Sequence, residues 1–85
     1  MSRHEKLREK LLKFPRNFTY DEMITLLKGY GYIKEERRRS SGSAVMFYNK
    51  ELSDKIMFHK PHPEKELKRY ILEMIIEKLK NNKML

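Results

Sequence analysis

The chain of 85 residues contains no cysteine and no tryptophan, and only three glycines, three prolines and three histidines. Without cysteine there is no disulfide framework, no thiolate zinc site and no cysteine nucleophile. With histidine limited to His4, His59 and His62, conventional acid and base groups are scarce. No apolar run approaches the roughly 20 residues of a membrane span, and the N-terminus lacks the apolar segment of a secretory signal. These absences lead us to expect a cytoplasmic monomer or complex subunit that does not enter a membrane.

What is abundant is positive charge. Twenty lysines and arginines against twelve acidic residues give a net charge of +8 and a pI near 9.8. Such an excess suits a phosphate polymer as partner, although a basic balance also occurs in small proteins that bind no nucleic acid. At this length one domain is expected, burying only about 60 to 65% of its unfolded surface. A composition with 39% hydrophobic and 38% charged residues folds with little apolar surplus, so stabilisation by a partner is plausible.

The spacing of apolar residues predicts a short helix over Ser2 to Phe14, with Leu7, Leu11 and Phe14 on one face and Pro15 ending it. Six basic and two acidic residues fall between Met1 and Asn17, half of the net excess, so this helix reads either as an electrostatic extension of the domain or as a solvated amphipathic helix. Thr19-Tyr20-Asp21-Glu22 has the form of a capping box and starts a second helix. Met23, Ile24, Leu27 and Tyr30 supply its buried face, and Gly29 to Gly31 its stop.

Tyr32 to Arg38 is expected as a first strand, polar enough in its middle to lie at an edge. In the next strand Val45 and Phe47 share one face and Ala44, Met46 and Tyr48 the other. A hydrophilic turn over Asn49 to Asp54 leads into a third strand, Lys55 to His59, with Ile56 and Phe58 on one face and Met57 and His59 on the opposite one. Pro61 and Pro63 close it, Pro63 being acceptable in the first turn of a last helix from about Glu64 to Asn81. That helix carries an apolar stripe of Leu67, Ile71, Met74, Ile75 and Leu79, widened by Leu72 and Ile76. The expected fold is α+β, in the order α-α-β-β-β-α, with a three-stranded antiparallel sheet and the helices packed on one of its faces. Residues 19–81 form the body of this single domain, with residues 1–17 as its extension.

Two basic turns stand out. Arg37-Arg38-Arg39 runs through Ser40, Ser41, Gly42 and Ser43 into the second strand, and Lys60-Pro61-His62-Pro63-Glu64-Lys65 follows the third. Both occupy ends of sequential strands, and basic loops beside a small sheet suit an RNA backbone. The candidate RNA contacts are Arg37, Arg38, Arg39, Ser41, Gly42, Ser43, Lys60 and Lys65; the bland alternative for the arginines is an exposed edge. Gly42 lacks the repeated glycines and the lysine of a nucleotide-binding loop, and Ser43 has no evident base, so neither nucleotide nor serine-hydrolase chemistry follows. His59 and His62 lie three apart across a proline, with no third ligand in view. No metal and no cofactor is expected, and structural roles, such as His62 capping the last helix, compete with catalytic ones.

Gly42-Ser43 leading into Val45-Met46-Phe47-Tyr48, together with His62-Pro63-Glu64-Lys65-Glu66-Leu67-Lys68, resembles the HicA family of toxins from bacterial toxin-antitoxin pairs, over roughly Thr19 to Leu79. The resemblance implies a fold like that of double-stranded-RNA-binding domains, ribosome-independent cleavage of messenger RNA, and a HicB-type antitoxin as partner. It also implies a catalytic histidine after the Gly-Ser pair, where this chain has Ala44. RNA cleavage through the 2′-hydroxyl needs a group to take that proton, another to protonate the leaving oxygen, and positive charge around the phosphorane. A methyl group does none of these, so a weak nuclease or none is expected. Ala44 is then an engineered inactivating substitution, a natural branch with different chemistry, or a position whose role His59 or His62 has taken over. Against the nuclease stands a noncatalytic module that binds RNA or an acidic protein on the same fold. DNA binding through the last helix is a third reading, opposed by the commitment of that helix to the core.

Overall fold

The computed structural model describes residues 2–35, 44–61 and 65–85. Helix α1 (Arg3–Leu12) opens at Ser2, whose hydroxyl accepts from the Glu5 amide. It stops two residues short of the expected end. Phe14 takes a left-handed backbone (φ 49°) that turns the chain before Pro15, and its ring packs against the core from outside the helix. Leu7 and Leu11 are buried among residues of the other helices and the sheet, so α1 belongs to the common core.

Helix α2 (Tyr20–Gly29) begins with the expected capping box: the Glu22 amide donates to the Thr19 hydroxyl at 3.1 Å, and the Glu22 carboxylate accepts from the Thr19 amide at 3.0 Å. The same carboxylate takes the Lys10 ammonium at 2.8 Å, which fastens α1 to the start of α2. Gly31 ends the turn at φ +93°, a conformation that glycine adopts without a Cβ penalty. Buried Asn49 donates there to the Tyr30 carbonyl.

Strands β1 (Tyr32–Lys34), β2 (Ala44–Asn49) and β3 (Asp54–His59) form an antiparallel sheet in the order β1-β2-β3. β1 is shorter than expected; of its predicted extent, Glu35 still donates its amide to the Met46 carbonyl, while Glu36, Arg37 and Arg38 lie outside the described residues. Phe47, Ile56 and Phe58 point inward, and Phe47 and Phe58 stack with centroids 5.7 Å apart. The opposite face carries the partners Ala44 and His59, Met46 and Met57, and Tyr48 and Lys55. Alternation along both strands therefore follows the expected period.

Helix α3 (Arg69–Asn81) starts later than the predicted Glu64. Glu64 lies outside the described residues, and Lys65 to Leu67 are not available to the helix because they run extended beside Phe18 to Tyr20. The Tyr20 amide donates to the Lys65 carbonyl and the Leu67 amide to the Phe18 carbonyl, a two-bond ladder that a helix cannot make. Leu67 is still buried, from an extended segment rather than a helical stripe. The cap position is Lys68, without a side-chain cap bond, and His62 and Pro63, expected at the start of this helix, lie outside the described residues. Ile71, Leu72, Ile75, Ile76 and Leu79 then complete a core shared by all three helices and the inner face of the sheet. The architecture is the α-α-β-β-β-α order with an antiparallel sheet, an α+β fold. Among the described residues no helix is long and apolar enough to cross a membrane.

Candidate nucleic-acid interface

The sheet has two ends of different character, and the antiparallel register decides which residues share each. β1 finishes, β2 starts and β3 finishes at the same end. That end gathers Lys34, Ala44, His59 and Lys60. Ala44 pairs directly with His59, so the two side chains lie on one face, at the roughly 4.5 to 5.5 Å Cβ spacing of facing strand residues. Ala44 is half-buried and His59 exposed.

Beneath this end lies Tyr20, the first residue of α2. Its ring meets Phe58 edge-on at 6.2 Å, and the Lys60 and Lys34 ammonium groups sit over it at 5.3 and 5.7 Å from the centroid. Such placement attracts each cation to the ring quadrupole, and no carboxylate among the described residues pairs with either. Lys65 reaches the same place through its carbonyl bond to the Tyr20 amide. Among the described residues, then, the structure brings together Ala44, His59, Lys60 and Lys65. Arg37, Arg38, Arg39, Ser41, Gly42, Ser43 and His62 lie outside the described residues. No group of three His, Cys, Asp or Glu side chains able to hold a metal occurs among the described residues.

Two contributors were not singled out from the sequence. Lys34 reads there as part of a polar edge strand, and Tyr20 as the second position of a capping box. Only the approach of β1 and β3 to the start of α2 shows that they meet. The outer sheet face beside this end is also more apolar than alternation requires, with Ile33 55%, Met57 49% and Tyr48 40% exposed.

At the other end the polar groups satisfy one another. Asp54 accepts from Tyr32 at 2.6 Å, from Lys78 at 2.8 Å and from Asn82 at 3.1 Å. Burial by itself would raise the Asp54 pKa, but the hydrogen bonds from Lys78, Tyr32 and Asn82 and the Lys78 charge outweigh it and hold the group at about 2. Tyr32 is pushed up to about 12 by burial and by the neighbouring Asp54 carboxylate. This end is a closed structural network joining β1, β3 and α3, and it offers a ligand nothing unmet.

The family described as HicA toxin of bacterial toxin-antitoxin matches residues 20–80, the span from the start of α2 to the last turn of α3. No curated protein and no solved structure matches the chain. The match covers well over half of the chain and includes every described residue of the basic sheet end, and on it the chain belongs to the HicA family of toxins of bacterial toxin-antitoxin systems.

Proposed function

We propose that this HicA-family chain binds messenger RNA across the end of the sheet that carries Lys34, Ala44, His59 and Lys60, with the Arg37 to Ser43 turn and Lys65 adding backbone contacts. The observation that carries the reading is the register pairing of Ala44 with His59 beside two ammonium groups. Phosphate neutralisation by such a cluster supplies affinity with little sequence preference. Position 44, where the resemblance implies a histidine, then faces the scissile phosphate.

With Ala44 in place the chain is an RNA-binding protein whose cleavage is impaired. Among the described residues one imidazole, His59, stands at the site, and in-line attack by a 2′-hydroxyl uses both a proton acceptor and a proton donor. The Ala44→His substitution places a second imidazole across the ladder from the first. Incubated with a messenger RNA, the Ala44→His variant is expected to cleave about 10² to 10⁴ faster than the parent, the usual worth of a positioned acid or base, and to arrest growth on expression. Absence of both effects removes the catalytic assignment of position 44. If both proteins nevertheless bind RNA in a salt-dependent manner, the noncatalytic module is the correct reading. In the cytoplasm a HicB-type antitoxin would neutralise the toxin by covering this end and the adjoining Ile33, Tyr48 and Met57 face, whose apolar exposure suits a protein partner.

A further inference from the structure

Resting on the RNA-binding reading, we propose that Tyr20, Lys34 and Lys60 form a seat for one backbone phosphate of the RNA, in which the Tyr20 hydroxyl donates a hydrogen bond and the two ammonium groups neutralise the charge. Tyr20 is only 7% exposed, and its hydroxyl has no hydrogen-bond partner among the described residues. A buried hydroxyl without a partner weakens folding, and phenylalanine would fill the same space without that cost. The oxygen therefore contributes nothing to the isolated fold that the ring does not.

The charges beside it are similarly unmatched. Among the described residues the carboxylates that form ion pairs are engaged elsewhere: Glu22 with Lys10, Asp54 with Lys78, and Glu73 with Arg69. Lys34 and Lys60 are instead held over one aromatic ring, two like charges gathered without a counter-ion among the described residues. Two ammonium groups and a hydroxyl donor are complementary to a phosphodiester, whose oxygens accept from all three. Tyr30, the other buried hydroxyl without a well-formed hydrogen bond, has His4 against its ring and the Arg8 guanidinium as its charged neighbour rather than a pair of lysines, so it does not share this character.

The test is binding of a fluorescent single-stranded RNA, followed by anisotropy over a KCl series, for the parent and for Tyr20→Phe, Lys34→Ala and Lys50→Ala, with a thermal melt of each. Lys34→Ala is expected to weaken binding and to lower the salt slope by about 0.7, the share of one single-strand phosphate contact. Tyr20→Phe is expected to weaken binding roughly tenfold, as loss of a bond to a charged acceptor does, with the salt slope unchanged and the melting temperature equal to or above the parent's. Lys50→Ala, in the turn at the other end of the sheet, is expected to leave the slope as it is.

Parental RNA affinity in Tyr20→Phe overturns the seat, as does a lowered melting temperature in that variant, which would make the hydroxyl structural. If the parent itself does not bind RNA, the functional reading fails and the seat falls with it. Binding of poly-glutamate rather than RNA, weakened by the same substitutions, would assign the cluster to a protein carboxylate and also overturn the proposal.

Discussion

Gly29 has no side chain at the place where α1 lies against α2, and the reason is His4. A Cβ at Gly29 would come within 2.1 Å of His4 Nδ1, while the His4 ring is fixed edge-on to Tyr30 at 4.5 Å. Two effects of similar size oppose each other at this residue. Alanine in a helix is worth about 1 kcal/mol over glycine, but it would displace His4 and forfeit an aromatic contact worth about 0.5 to 1.5 kcal/mol. Gly29→Ala alone should therefore leave stability unchanged or reduce it by up to about 1 kcal/mol, since the half-buried imidazole must also find a new place. In a His4→Ala background the same change should stabilise by about 0.5 to 1 kcal/mol. Urea denaturation of the four proteins in this double-mutant cycle measures the coupling, and additivity within about 0.3 kcal/mol would show that the contact does not matter. None of this was visible in the sequence, where Gly29 read as part of a helix stop and His4 was given no structural role.

Among the elements, α2 was the most legible, because its start signal is local. A threonine followed three residues later by glutamate specifies a bonding pattern that needs no distant partner, and the structure contains both bonds. Thr19→Ala should cost about 1 kcal/mol, and up to about 2, by chemical denaturation. A smaller loss, under about 0.3 kcal/mol, would mean that the Lys10 to Glu22 ion pair holds this helix end without the hydroxyl. The start of α3 was illegible for the opposite reason. Lys65 to Leu67 have helical propensity and continue an apolar stripe, but Phe18 and Tyr20 claim their backbone, and that competition is between segments some fifty residues apart. Burial of Leu67 was right while its element was wrong, since an extended segment can turn the same side chain inward.

At the scale of the whole molecule, the two ends of the sheet differ in how their charges are met. The Asp54 end stabilises the fold. Its folded pKa of about 2 lies below the ordinary value of 3.8, so its contribution is full above pH 4 and is lost as pH falls from about 4 to 2. With the Asp54 side chain about a quarter exposed, that contribution is about 1 to 2 kcal/mol. Tyr32 adds an alkaline limb of the same origin: its raised pKa favours the fold below pH 10 and ceases to do so as pH rises from 10 to about 12. The stability-pH profile of Asp54→Asn should thus lie below the parent's at neutral pH and meet it near pH 2. Parallel profiles over that range would remove Asp54 from the acid limb. Because the network lies at the end remote from Lys34 and Lys60, the same variant should retain the parent's RNA salt slope wherever it remains folded.

The sequence by itself determined the class of fold, the alternation of β2 and β3, the capping of α2 and the net charge of +8, together with the motifs that point to the HicA family. Each is written in spacing or composition, so that the chain need not fold for it to be read. Only the tertiary structure decided that Ala44 faces His59, that Lys34 and Lys60 converge on Tyr20, and that α1 is part of the core. Those facts depend on strand register and on how helices settle against the inner sheet face, where contacts between residues far apart in the chain outweigh local preference. The Tyr20 hydroxyl is the sharpest case: in the sequence it is one more helix residue, and burial beneath two lysines makes it a donor without an acceptor.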